Sequence, residues 1–254
     1  MRASFLVGVA ASGFVVLGAG TAAAQSAAEM TPLEVSVACG APVLSDDGTK
    51  HALHIIGGQD TVARTTFGNR DLLTIDGGTA AGVQLGQEYY VRGMSRIAPM
   101  PYQGGAQQSL RTAGWVRIVA ANERTSIAQV IRSCGAMLNG DYLEAFKPPS
   151  VPAGADRDEA TGDPDFSALG HIVSGPEDRR TAALGDFILI DRGSDQGVTP
   201  GARFAAYRDI EVPGMPLAPI GEIVVVDVGK SQSLARITRS RDALQTGDYV
   251  APRK

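Results

Sequence analysis

The sequence predicts an all-β protein: two tandem small antiparallel β-barrel domains joined by a flexible linker and preceded by a signal peptide. Three observations predict it. "DLLTIDGGTAAGVQLG" from Asp71 returns as "DFILIDRGSDQGVTPG" from Asp186, with 7 of 16 positions identical. Gly114–Tyr142 returns at Gly221–Tyr249 with 10 of 29 positions identical. Both copies consist of short apolar or alternating segments set between Gly and Asp residues, the pattern of strands and turns.

The elements follow in chain order. Arg2 is a short positive region, "FLVGVAASGFVVLGAG" is apolar, and "TAAAQ" places small residues where a signal peptidase cuts. Residues 1–24 therefore read as a signal peptide cleaved after Ala24. Residues 5–24 are also long enough to remain as an anchor, but the A-x-A ending favours cleavage. The expected location is the periplasm or the outside of the cell, with no membrane span after cleavage. A lead-in of residues 25–51 holds one strand candidate, "LEVSVAC".

The first barrel repeat spans residues 52–146 and the second 170–252. Their strands are "HIIGG" and "HIVSG", "LLTID" and "FILID", "EYYVRG" and "RFAAYRD", "GWVRIVAA" and "GEIVVVDV", "SIAQVIRS" and "SLARITRS", and finally "GDYLEAF" and "GDYVAP". Six short strands around one core favour a closed barrel, which removes vulnerable edges. The first copy is eight residues longer between its third and fourth strands, as a surface loop tolerates. Residues 147–169, rich in Pro, Ala, Gly and Asp, lack apolar periodicity and read as a flexible linker.

Composition narrows the function classes. The chain has 254 residues, with 23 Lys and Arg against 27 Asp and Glu, so it lacks the basic surplus of a nucleic-acid binder. The sharpest motif is glycine-rich: Gly78, Gly82, Val83 and Gly86, repeated at Gly193, Gly197, Val198 and Gly201. A phosphate-cradling loop also spaces glycines closely, but it continues into Gly-Lys-Ser/Thr and a helix, and here a strand follows. The glycines are expected to supply positive φ in a tight connection, with each valine dropping into the core as a plug.

Cys39 and Cys134 are the only cysteines, and in an oxidising compartment they are expected to pair; the alternative is two buried thiols that never meet. Cys134 stands where the second copy has Arg241, so the first barrel has an extra segment to hold, the lead-in. No metal site or cofactor is expected. Of the histidines, His51, His54 and His171, the last two match between copies, as do Asp76 with Asp191 and Asp141 with Asp248. Repeated carboxylates could serve glycoside hydrolysis, whereas an Asp beside Gly commonly organises a turn. Trp115, the only tryptophan, is matched by Glu222, and Tyr142 by Tyr249. Two Pro-rich loops at the same barrel position, one with Pro99, Met100 and Tyr102 and the other with Pro213, Met215 and Pro216, are partner-binding candidates beside the plainer reading of tolerated hairpin loops.

The pattern "ILIDRGSDQGVTPGARFAAYRD", "GEIVVVDV", "SLARI", "GDYV", echoed in the first copy, resembles the C-terminal barrel domain of flagellar assembly protein T. It is also similar to barrels that accompany LysM-type peptidoglycan-binding proteins. The resemblance implies an exported barrel and a cell-envelope setting. The expected function is a non-catalytic envelope protein, a binding or spacer module with a protein partner or peptidoglycan. The alternative is an envelope hydrolase that uses the repeated aspartates.

Overall fold

A computed structural model describes residues 30–43, 53–96, 108–158, 161–176 and 179–254. The expected signal peptide and the loop with Pro99, Met100 and Tyr102 lie outside these residues, as does His51.

The first unit contains β1 (Ile55–Gly58), β2 (Thr66–Phe67), β3 (Leu72–Ile75), β4 (Glu88–Arg96), β5 (Gln108–Ala121), β6 (Ser126–Ser133), β7 (Met137–Leu138) and β8 (Tyr142–Ala145). The second repeats them as β9 (Gly170–Ser174), β10 (Thr181–Ala182), β11 (Phe187–Ile190), β12 (Arg203–Arg208), β13 (Ala218–Val228), β14 (Ser233–Ser240), β15 (Leu244–Gln245) and β16 (Tyr249–Pro252). In the second unit six strands close into a barrel in the order β11-β14-β13-β12-β16-β9. The first unit has the same order as a six-stranded sheet, β1-β3-β6-β5-β4-β8. That sheet curls until its edges meet at a bridge between His54 and Tyr142, flanked by Leu143 N–H to Leu53 O at 2.9 Å. Every pairing is antiparallel.

Period-two alternation points one set of side chains into each barrel. Ile55, Leu73, Ile75, Val91, Val116 and Ile118 form the first core, and Ile172, Ile188, Ile190, Phe204, Ile223 and Ile237 the second. Removing this apolar surface from water drives each barrel to collapse.

The strand expected at "LEVSVAC" is instead a helix, α1 (Pro32–Gly40). Thr31 and Glu34 form a reciprocal capping box and Pro32 occupies the first turn, so the orphan N–H groups are satisfied before any sheet is offered. Tertiary contacts then hold a helix too short to persist alone. Leu33, Val37 and Ala41, spaced four apart, pack on Phe187, Leu189, Val224, Val226 and Leu234 of the second barrel. Met30, Val35, Ala38 and Cys39 pack on Tyr90, Trp115, Ile131 and Phe146 of the first. The helix thus lies between the two barrels and touches both.

The segment expected as a linker is drawn along the second barrel. Ala155 is buried beside Phe187, and Arg203 donates to the carbonyls of Gly154 and Arg157 at 3.0 and 3.1 Å. Further on, Asp165 N–H donates to Pro252 O at 2.8 Å and Lys254 N–H to Asp163 O at 3.1 Å.

Candidate functional site

The glycine motif occupies the same geometry in both copies. A 3-10 turn, Thr79–Ala81 or Ser194–Gln196, ends on Gly82 or Gly197 with φ of 82° or 77°. Gly86 and Gly201 also have positive φ, 83° and 88°. Gly78 and Gly193 are needed for a different reason. Their φ values are extended, but an added Cβ would stand 2.1 Å from Asn122 O and 2.2 Å from Lys230 O. Val83 and Val198 are buried in their cores. The backbone N–H groups of Thr79 and Ala80 donate to Asn122 and Glu123, so these turn amides are engaged within the fold.

The repeated histidines and aspartates meet. His54 N–H donates to Asp76 Oδ1 at 2.6 Å, and His54 Nδ1 lies 3.2 Å from Asp76 Oδ2. His171 and Asp191 repeat both distances, 2.6 and 3.2 Å. Each aspartate therefore ties the end of β3 or β11 to the start of β1 or β9, at the seam where the barrel closes. The His171 ring also leans on Tyr249, with centroids 4.8 Å apart.

Asp141 and Asp248 secure the turns before the last strands. Leu138 N–H donates to Asp141 Oδ2 at 3.0 Å, and Gln245 N–H to Asp248 Oδ2 at 2.6 Å. Arg208 holds Asp248 through Nε and Nη2 at 2.8 and 2.7 Å, a two-pronged pair. Asp141 is held by Arg111 at 3.3 Å instead. Arg208 is paired across β12 and β13 with Ala218, whereas across β4 and β5 Gly93 is paired with Arg111. The arginine has changed strands while the ion pair is kept. Burial is the largest influence on Asp141 and raises its pKa, against the Leu138 N–H and Arg111, which lower it.

One position differs entirely. Trp115 packs with Tyr90 and Phe146, centroids 6.4 and 5.8 Å away, beneath α1. Its counterpart Glu222 is buried and accepts from Arg239 Nη2 at 2.8 Å and from Arg253 Nε and Nη2 at 2.8 and 2.6 Å. Cys39 and Cys134 form a disulfide beside Trp115, with Cα atoms 5.2 Å apart. Pro213, Met215 and Pro216 are exposed on the turn between β12 and β13, together with Ile210 and Val212.

The site that combines all three parts of the molecule is a cleft of about 390 Å³, between α1, the outer face of β4 and β8, and the β13–β14 turn. Val37, Ala41, Pro42, Val43 and Leu234 line its apolar side; Tyr90, Arg92, Thr112, Glu144 and Lys147 line the other. The Arg92 guanidinium lies 4.3 Å above the Tyr90 ring centroid, donates to Glu144 at 3.0 Å and to Thr112, and is almost fully buried. The Tyr90 phenol donates to Lys147 O at 3.0 Å, and burial pushes its pKa up to about 12. Such a surface can bind polar groups. Sequence reading missed this cleft because α1 builds one wall. The signal that marks the helix, Thr31-x-x-Glu34 around Pro32, was legible.

Among the described residues no group of three or more His, Cys, Asp or Glu side chains is placed to hold a metal ion. Likewise, no helix among them is long and apolar enough to cross a membrane. Compared with known proteins, the chain matches no family model and no curated protein.

Proposed function

We propose that this is an exported, non-catalytic cell-envelope protein, in which two barrels act as one binding or spacer body, in contact with an envelope protein or with peptidoglycan. The observation that carries the reading is α1. A disulfide bolts it to the first barrel and its other face is buried on the second. Disulfides of this kind persist in oxidising compartments, which supports export. A helix spent on joining two barrels supports a fixed spacing between them. The repeated aspartates support a binding rather than a hydrolytic role, since each is committed to backbone N–H groups at a strand end or turn. The envelope resemblance, including the flagellar-assembly and peptidoglycan-associated settings, belongs to the same reading.

Fractionation and capture test it. Cells expressing the protein are separated into cytoplasm, envelope and medium. The exported fraction is then offered to envelope extract and to purified sacculi. The expected result is export with Cys39 and Cys134 joined, and retention of one defined protein or of the sacculi. Turnover of murein fragments that disappears in Asp76→Asn or Asp191→Asn protein would establish the hydrolase instead.

A further inference from the structure

The two faces of α1 are held differently. On the second barrel Leu33, Val37 and Ala41 lie against an apolar layer that includes Phe187, Val224 and Leu234, with no covalent tie. On the first, Val35, Ala38 and Cys39 cover Tyr90, Trp115 and Phe146, and the Cys39–Cys134 bridge crosses the contact. Among the described residues no hydrogen bond or ion pair joins α1 to either barrel. The layer under the helix carries a penalty. Trp115 is 1% exposed, and its Nε1 is buried without an acceptor among the described residues. A buried indole N–H ordinarily finds a partner, and one left without it forgoes the hydrogen bond that water would supply. The bridge itself reaches the surface: Cys39 and Cys134 are half-buried, and each is followed by an exposed glycine, Gly40 or Gly135.

We propose that the Cys39–Cys134 bridge is a redox-operated clamp: closed, it holds α1 over Trp115, and reduced by a dithiol it lets the first barrel part from α1 while the helix stays on the second. The step is thiol–disulfide exchange. A thiolate of the dithiol attacks one sulfur of the bridge, and the S–S bond breaks to give a mixed disulfide and one free protein thiol. The second thiol of the reductant then displaces the other protein sulfur. Two electrons and two protons pass to Cys39 and Cys134, which end as thiols, and the dithiol ends as a disulfide. Once the bond is cut, apolar contact alone opposes hydration of Trp115 Nε1. The contact on the second barrel never relied on the bridge, so that side keeps the helix, which nine residues could not sustain alone. The duplicate lacks the device, since Arg241 stands at the position of Cys134. The inference goes beyond the spacer reading by giving the spacing two states, and it does not depend on what the protein binds.

Trp115 is the only tryptophan, so its signals report the clamp without interference. Full-length, isotope-labelled protein is treated with dithiothreitol in native buffer until two thiols per chain are titrated. The expected result is a red shift of the Trp115 emission, with the indole N–H signal moving and beginning to exchange with water. Emission wavelength is read instead of intensity, because loss of a neighbouring disulfide alone changes intensity. Methyl signals of Ala38 and Ile131 should move, while those of Leu189, Val226 and Leu234 stay in place. Reoxidation should restore every signal. A Cys39→Ser, Cys134→Ser protein, measured without reductant, should give the spectrum of the reduced wild type, which excludes a direct effect of the dithiol. The proposal is overturned if the bridge resists reduction in the folded protein, or if full reduction leaves the Trp115 emission and indole N–H unchanged. It is also overturned if the second-barrel methyl signals are lost on reduction, for the bridge is then a staple of the whole fold.

Discussion

Trp115 and Glu222 occupy equivalent positions in barrels of the same strand order, yet one sits in an aromatic cluster and the other in a three-way ion pair. The exchange runs through the whole layer. Phe146 opposite Trp115 becomes Arg253 opposite Glu222, while Arg132 and Arg239 stay arginine. On the neighbouring face the polarity is reversed. Thr74 and Arg117 of the first barrel stand where Leu189 and Val224 of the second are buried, and Leu72 and Val119 are exposed where Phe187 and Val226 are covered. The difference follows α1. Where the helix lies on the first barrel, the outer layer is apolar; where it lies on the second, a different outer layer is apolar. A duplicated barrel keeps its inside and rewrites its outside according to what each face touches.

Copying one barrel's choice into the other should give the largest effect. Trp115→Glu places a carboxylate under α1 without Arg253's counterpart and is expected to cost about 3–5 kcal/mol, read as a lower urea midpoint. A midpoint within experimental error of wild type would mean that the aromatic layer is not what holds the helix. Removing the centre of the ion-paired layer, by Glu222→Ala, is expected to cost about 3 kcal/mol, because half-buried Arg253 loses its carboxylate and keeps only the Gly162 carbonyl. Loss of that magnitude should be reported by the second barrel, with Trp115 fluorescence lagging behind.

Replacing both cysteines by alanine is expected to cost about 2–4 kcal/mol in the first barrel and to leave the second nearly unchanged. Hydrogen exchange resolved by residue would reveal the asymmetry, and equal loss in both barrels would contradict it. Tryptic nicking at Arg157 should leave the halves eluting together, since α1 and the segment around Ala155 hold the second barrel without that peptide bond. Separation of the fragments at neutral pH without reductant would show that α1 does not bridge.

The smallest effect concerns the chain end. The hydrogen bond from the Lys254 ammonium comes first, followed by those from the Ser167 hydroxyl and N–H, and together they hold the Asp165 carboxyl down to about 2. A depressed folded pKa contributes stability that is complete above the unfolded value, near 4, and is lost as pH falls through about 2. The Phe166–Tyr207 contact should therefore persist to about pH 2, visible as an unchanged Phe166 ring shift. Asp141 works in the opposite sense. Its pKa is raised by burial, so its ionisation opposes folding as pH rises through that raised value.

The repetition made the strands and the glycine turns legible, because both copies obey the same backbone requirement at Gly82 and Gly197. Other features were visible only as fragments. His54 and Asp76 recur as His171 and Asp191, but only strand pairing brings residues about twenty apart into contact. The Arg111 and Arg208 pairs escape any column-by-column comparison, since the ion pair is conserved in space while the arginine moves to the facing strand. "LEVSVAC" misleads because Val35, Val37 and the residues between alternate as a strand would, and the Thr31–Glu34 cap decides the matter in its first turn. The cleft could not be read at all, because its walls come from segments more than one hundred residues apart.

The position of α1 also orders events while the chain is being made. Synthesised from its N-terminus, the chain emits Cys39 long before Cys134, and the helix before every strand on which it rests. Nine residues are too few to stay helical unaided, so the segment waits, unformed, for the first barrel and then for Leu234 of the second. The helix emerges first and is seated last. With two cysteines in the whole chain only one intramolecular bridge can form, so the long wait carries no risk of a wrong pairing within the molecule.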